Sequence, residues 1–197
     1  MPGPDLTEIC LLLQALQSIA PLSVALQDRL GVALLREERR RRELLLEQGR
    51  TAERLYFMIS GFARSYVMDS DGREHTTSFM GPRDFIISAS SFFSQEPAAE
   101  WIELLEESVL LSLSWRQLSH IYEEFPEFNH QMRRITEHYY QESERRTILF
   151  RSLKPAERYH HLLSHYPELL QQTSLGQVAS FLGVTQATLS RIRARRF

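Results

Sequence analysis

The residues best placed to do chemistry lie late in the sequence, from Ser174 to Arg196, which reads S-L-G-Q-V-A-S-F-L-G-V-T-Q-A-T-L-S-R-I-R-A-R-R. The chemistry is recognition, not bond making. Two short helices that cross nearly at right angles need a small residue where they touch, and Ala179 stands there. Four residues on, the chain must turn with positive φ, which Gly183 adopts at low cost. Val178, Leu182, Val184, Leu189 and Ile192 fall on the facing sides of the two helices, and Thr185 stands at the N-cap of the second. That leaves Gln186, Ala187, Thr188, Ser190 and Arg191 on the outer, N-terminal side of the second helix, where a helix-turn-helix presents side chains to base edges.

Within that unit the side chains divide by chemistry. Arg191 suits bidentate recognition of guanine, and Gln186 suits adenine directly or through water. Thr188, Arg193, Arg195 and Arg196 suit phosphates that set register and carry little sequence information, and Arg191 is equally capable of a phosphate contact. With Thr185 and Ser190 these side chains form the expected face toward duplex DNA.

Other constellations offer less. His161 and His165 have the i, i+4 spacing of a metal pair and His160 adjoins them, yet no Glu lies between them in the H-E-x-x-H manner, and a solvated helix face explains them more simply. Asp84 and Glu100 have no partner that suggests acid–base work, so no enzyme activity, metal or cofactor is expected. A single cysteine, Cys10, excludes an internal disulfide and a Cys-based zinc site.

Composition bounds the rest. The 197 residues are 43% apolar and 24% charged, which suits an ordinary globular chain of one or two domains. No apolar run approaches the ~20 residues of a bilayer span. Asp5 and Glu8 stand where a secretory leader would carry basic residues, so a cytoplasmic protein with no membrane partner is expected. The net charge of −2 hides an asymmetry: residues 153–197 hold six basic and two acidic residues, leaving that segment at +4 and the remainder at −6.

The elements that must position the reading helix follow from periodicity and punctuation. Ile9, Leu12, Leu13, Leu16 and Ile19 recur at helical spacing from Thr7, and Ser23 can cap a second short helix through Leu26 and Leu30. The basic run from Glu37 to Arg42 reads as a solvated face or strand edge, with a DNA contact as the rarer alternative. From residue 41 to 113, turn signals at Gln48-Gly49, Ser60-Gly61, Asp69 to Gly72 and Gly81 to Asp84 bound short strands at Leu55–Ile59, Phe62–Met68, Arg73–Met80, Trp101–Leu105 and Val109–Leu113. This pattern predicts an antiparallel barrel, roll or sandwich.

Ser114 is placed to cap a helix from Trp115 to Phe125, and Pro126 opens a longer one. There Phe128, Met132, Ile135, Tyr139, Glu142, Arg146 and Leu149 alternate at four- and three-residue steps, which gives a seam for a second copy of the chain or, alternatively, a stripe that packs on the chain's own strands. The expected fold is therefore α+β: an antiparallel β-roll with flanking helices over residues 1–125, a long dimerisation helix over 126–151, and an all-α helix-turn-helix domain over 152–197.

With these pieces in order, the sequence resembles the Crp/Fnr family of bacterial transcription regulators over about residues 8–196. Gly49, Leu55-Tyr56-Phe57, Ser60-Gly61, Asp71-Gly72-Arg73-Glu74 and Gly81-Pro82-Arg83-Asp84-Phe85 carry the resemblance, together with the long helix and the helix-turn-helix. It implies a cyclic-nucleotide-binding-like roll, a homodimer joined by the long helix, double-stranded DNA and RNA polymerase as partners, and an effector that shifts the reading helices. Family members that bind cyclic AMP carry a Glu for the ribose and an Arg for the cyclic phosphate, and the matching positions here are Ser88 and Ala98. An unpaired buried phosphate costs several kcal/mol, and Glu100 nearby adds to it, so no cyclic nucleotide is expected to bind. An oxygen-sensing iron–sulfur cluster needs more cysteines than Cys10, and haem through His75 or His120 is the less economical reading. Phe85, Ser88, Ser90, Ser91, Ala98 and Ala99 either line a pocket for an unknown, less charged small molecule or belong to a filled remnant. Many relatives carry Arg-Glu where this chain has Gln186-Ala187, so a different operator is expected. The sequence stops at Phe197 where many relatives continue into a hairpin wing, so fewer backbone contacts to DNA are expected. The rival to a DNA regulator is a ligand-sensing or protein-interaction module that has lost DNA binding.

Overall fold

In the structure, a computed structural model, residues 4–19 and 21–194 are described. Helix α1 (Leu6–Gln17) starts where the Asp5 carboxylate accepts from the Thr7 amide and Glu8 reaches back to the Asp5 N–H, a reciprocal cap. Helix α2 (Val24–Ala33) starts at Ser23, whose hydroxyl accepts from the Leu26 amide. Eight strands follow: β1 (Leu35–Arg39), β2 (Leu44–Leu46), β3 (Arg54–Ser60), β4 (Ala63–Met68), β5 (Glu74–Met80), β6 (Phe85–Ile86), β7 (Trp101–Leu104) and β8 (Ser108–Ser114), with the short helix α3 (Ala89–Ser94) between β6 and β7.

These strands form two four-stranded antiparallel sheets in the orders β1-β8-β3-β6 and β2-β7-β4-β5. Leu55, Phe57, Ile86, Ile102, Leu104, Leu111 and Leu113 bury one core together with Leu12, Leu16, Leu26 and Leu30 of the first two helices. One corner tolerates no side chain. Gly61 has φ +107°, and a Cβ there would stand 2.8 Å from the Cα of Ser108.

The strand region opens six residues earlier than the turn signals suggest, because the basic run contributes β1. That run is a sheet edge held by pairs within the chain. Arg36 meets Glu8 at 2.9 Å, while Arg39 pairs with Glu37 and Glu43. Punctuation alone missed β1 because Arg and Glu have low strand propensity; its register against β8 decides the matter.

Helix α4 (Trp115–Glu124) begins at Ser114 with a reciprocal cap from Gln117, and Pro126 opens the 27-residue α5 (Pro126–Ser152). The expected dimer seam on α5 needs correction. Phe128 and Ile135, 2% and 6% exposed, belong to the roll's own core, and Met132 packs against it. The Tyr139 hydroxyl accepts the Phe85 amide at 3.1 Å, Arg146 donates to the Thr77 carbonyl and the Ser78 hydroxyl, and Leu149 faces the junction with the C-terminal helices. A four-three stripe fits a sheet as well as a partner helix, and here the roll takes Phe128, Met132 and Ile135 while Tyr139 and Arg146 stay exposed. The outward side of α5 instead shows Tyr140 and Ile148, 63% and 64% exposed.

Helices α6 (Pro155–His165), α7 (Leu169–Gln172), α8 (Leu175–Phe181) and α9 (Gln186–Ala194) complete the chain. Their core of Tyr159, Leu162, Leu169, Val178, Ala179, Leu182 and Leu189 is continuous with Phe62, Phe79 and Leu105 of the roll. Among the described residues no helix is long and apolar enough to cross a membrane.

Candidate nucleic-acid interface and roll cavity

Local rules position α8 and α9. The Ser174 hydroxyl accepts from the Gln177 amide at 3.2 Å and the Gln177 side chain accepts from the Ser174 N–H at 3.0 Å, which starts α8. Gly183 turns the chain with φ +66°, and the Val184 amide then donates to the Ala179 carbonyl at 3.0 Å. The Thr185 hydroxyl caps α9 by accepting from the Thr188 amide at 3.2 Å. Val178, Ala179, Leu182 and Leu189 are buried, while Val184 and Ile192 are half-buried against them. Arg158 of α6 ties the turn down by donating to the Leu182 carbonyl at 2.9 Å.

Pinned along that side, α9 holds its other side to solvent. Thr185, Gln186, Ala187, Ser190, Arg191 and Arg193 are exposed, and neither Arg191 nor Arg193 has an ion pair among the described residues. Thr188 departs from the expectation: it is half-buried and its hydroxyl is shared with that of Thr185 at 2.9 Å, so it serves the cap before any phosphate. The expected contacts of Arg195 and Arg196 lie outside the described residues. The outward side of α9 carries arginines and no carboxylate, and its amide-rich N-terminal end adds partial positive charge.

The roll holds a cavity of about 620 Å³ between β2, the following turn, the start of β3 and β7. Of the six expected pocket residues only Ser88 lines it, 1% exposed, with a hydroxyl that has no hydrogen-bond partner. The others lie outside it, contrary to the expectation from sequence. The Ser91 hydroxyl is spent on the Ala52 amide and the Glu96 carbonyl, and Phe85 packs on Phe57. Ala98 is buried with its backbone bonded to Gly49 and Arg50, and Ser90 and Ala99 face solvent. Arg50, Arg54 and Tyr56 line the cavity instead, alongside Glu47 and Glu53. Arg54 donates to the Ser112 hydroxyl at 2.8 Å, and burial pushes the Tyr56 hydroxyl up to about 12. Two arginines balance two glutamates, so the cavity offers no surplus cation to a phosphate. Nothing in the spacing of Arg50 and Arg54 marks them in the sequence, because the fold alone brings residues 50–56 beside residue 88.

A third feature has no sequence signal. The helix-turn-helix is docked on β5, the edge of its sheet. The Ser180 hydroxyl accepts the Thr76 amide at 3.0 Å and donates to the Glu74 carbonyl at 2.8 Å, and Phe181 packs on Phe79 with ring centres 5.2 Å apart. The Tyr166 hydroxyl donates to the Phe79 carbonyl at 3.1 Å. The histidines are accounted for locally. His75 meets Asp69 at 2.8 Å, His120 is exposed, and the rings of His161 and His165 stack with centres 4.4 Å apart.

Comparison with known proteins follows the same outline. Residues 36–125 match the cyclic nucleotide-binding domain family. A curated relative, the anaerobic regulatory protein of Haemophilus influenzae, is 23% identical over 164 residues, covering 78% of this chain and 63% of the relative. This chain thus spans less than two thirds of that relative's length. In structure it is similar to FixK2 of Bradyrhizobium japonicum (TM-score 0.71, 19% identity, 82% of this chain and 83% of that one). It is also similar to the c-di-GMP-responsive global regulator CLP of Xanthomonas campestris (TM-score 0.69, 15% identity, 88% and 91%). The catabolite activator protein of Thermus thermophilus shares the fold with a TM-score of 0.57 at 19% identity, over 91% of this chain and 85% of that one.

Proposed function

We propose that this chain, a member of the Crp/Fnr family, is a transcription regulator that reads duplex DNA with α9 and acts as a homodimer. The observation that carries the reading is the two-sided character of α9. Leu189 is fully buried while Gln186, Ser190, Arg191 and Arg193 face solvent from one rod. Arg191 and Gln186 are the base readers, and Arg193 and Arg195 with Thr185 and Ser190 hold the backbone. Two copies joined along the outward side of α5, where Tyr140 and Ile148 stand, present two such rods to successive major grooves. Control of transcription then runs through RNA polymerase, the partner that the family resemblance implies.

The roll supplies no cyclic-nucleotide response in this reading. By the family resemblance Ser88 and Ala98 replace a ribose-binding Glu and a phosphate-binding Arg, and the cavity's lining sets two arginines against two glutamates. Calorimetry with cyclic AMP and cyclic GMP is expected to give no heat of binding; micromolar affinity for either refutes this part. For DNA, selection of bound duplexes from a random pool is expected to return a palindrome whose half-sites lie about one helical turn, ~34 Å, apart. A pool that stays random points to a module that has lost DNA binding.

A further inference from the structure

Between the roll, α5, α6 and α8 lies a second cavity of about 190 Å³, separate from the one inside the roll. Phe79, Leu149, Phe150, Tyr166 and Phe181 wall it, with Phe150 and Phe181 edge to face at 5.4 Å. Three arginines join this lining, Arg145, Arg146 and Arg158, against one carboxylate, Glu142, which Arg145 already holds at 2.9 Å. Arg158 is the telling group. Its Nη1 donates to the Leu182 carbonyl at 2.9 Å and its guanidinium lies 5.3 Å over the Phe150 ring, yet its Nε is buried with no hydrogen-bond partner. A buried guanidinium N–H without an acceptor is costly, and a carboxylate is the acceptor that a guanidinium binds most strongly. Arg146 is a second cation beside the same space, donating to the Ser78 hydroxyl at 3.1 Å.

Size narrows the ligand. An apolar cavity of ~150 Å³ takes one benzene ring, so this one admits a ring and a carboxylate and excludes a nucleotide. We propose that the junction binds a small aromatic monocarboxylate, ring against the phenylalanines and carboxylate on Arg158. Because the walls come from β5, α5, α6 and α8, the bound acid fastens the helix-turn-helix to the roll, and it favours the docked arrangement by its differential affinity for it.

Calorimetry on the full chain with benzoate tests the proposal, using benzamide and inorganic phosphate as the uncharged and ring-free controls. Benzoate is expected to bind with a Kd of about 0.1–1 mM, a range ordinary for so small a ligand, and both controls at least tenfold more weakly. It is also expected to slow hydrogen exchange at the Thr76 amide, which reports docking through Ser180. Arg158→Met is expected to abolish binding. Since it also removes the bond to Leu182, Leu149→Phe provides a second variant that fills the space while keeping every cation, and it too is expected to abolish binding. No heat with benzoate at ~10 mM, equal binding of benzamide or phosphate, or wild-type affinity in either variant overturns the proposal.

Discussion

The C-terminal helix-turn-helix and the roll cavity were built by different kinds of information. In the helix-turn-helix every demand of the geometry is answered within about twenty consecutive residues: Ser174 caps, Ala179 makes room, Gly183 turns, Thr185 caps again, and Leu189 anchors. In the cavity, Arg50, Arg54, Tyr56 and Ser88 meet only after two sheets have formed. A side chain whose role is set by neighbours three or four residues away is legible in sequence. One whose role depends on strand order is not.

The largest effect should separate these two kinds of constraint. Gly61→Ala meets the backbone of Ser108 and also needs φ +107°, so it is expected to cost about 3 kcal/mol or more. Gly183→Ala needs only its φ of +66°, with no atom nearer than 3.7 Å, and is expected to cost about 1 kcal/mol. Urea midpoints of the two variants check the ranking, and equal losses would erase the distinction between close approach and backbone conformation.

Helix α5 allows the comparison to be sharpened across a single element. Ile135→Ala removes core and is expected to cost about 2–4 kcal/mol. Ile148→Ala lies on the outward side and is expected to change monomer stability by less than ~0.5 kcal/mol while weakening self-association in sedimentation. If Ile135→Ala dissociated the dimer without loss of stability, the seam would lie where the sequence periodicity put it.

At the junction, Ser180→Ala strands the Thr76 amide and is expected to cost about 1 kcal/mol, with faster exchange of that amide. Smallest is the effect of Asp84, whose carboxyl is pushed up mainly by burial although the Gly81 amide donates to it at 2.8 Å. A raised carboxyl binds its proton more tightly folded than unfolded. The stability it contributes is therefore present at acid pH and lost as pH rises from the ordinary carboxylate range through the folded value. Asp84→Asn keeps an acceptor for Gly81 and is expected to flatten that decline in thermal melts above about pH 4.

Strands β3, β4, β5, β7 and β8, the caps at Ser23 and Ser114, and the helix-turn-helix core follow from turn signals and periodicity alone, because each is fixed by a short window, whereas β1, β2 and β6 are set by their partners in the sheets. On α5, Phe128, Met132 and Ile135 give one pattern for two partners, and the roll's own core takes these three. Ser180 was silent for a different reason. A serine on a helix surface carries no mark that the edge of β5 will need its hydroxyl. The basic run at residues 37–42 is legible only as a strand edge, since the pairings of Arg39 with Glu37 and Glu43, and of the adjoining Arg36 with Glu8, depend on where the β1–β2 turn and α1 come to rest.

Base reading by α9 is the property to test most directly. Wild type and Arg191→Ala should be titrated against the selected duplex, each of its single-base variants, and a series of salt concentrations. The expected result is a loss of about 1–3 kcal/mol confined to discrimination at one base pair, on a steep salt slope that the variant barely alters. Undiminished discrimination at every position in Arg191→Ala would contradict it.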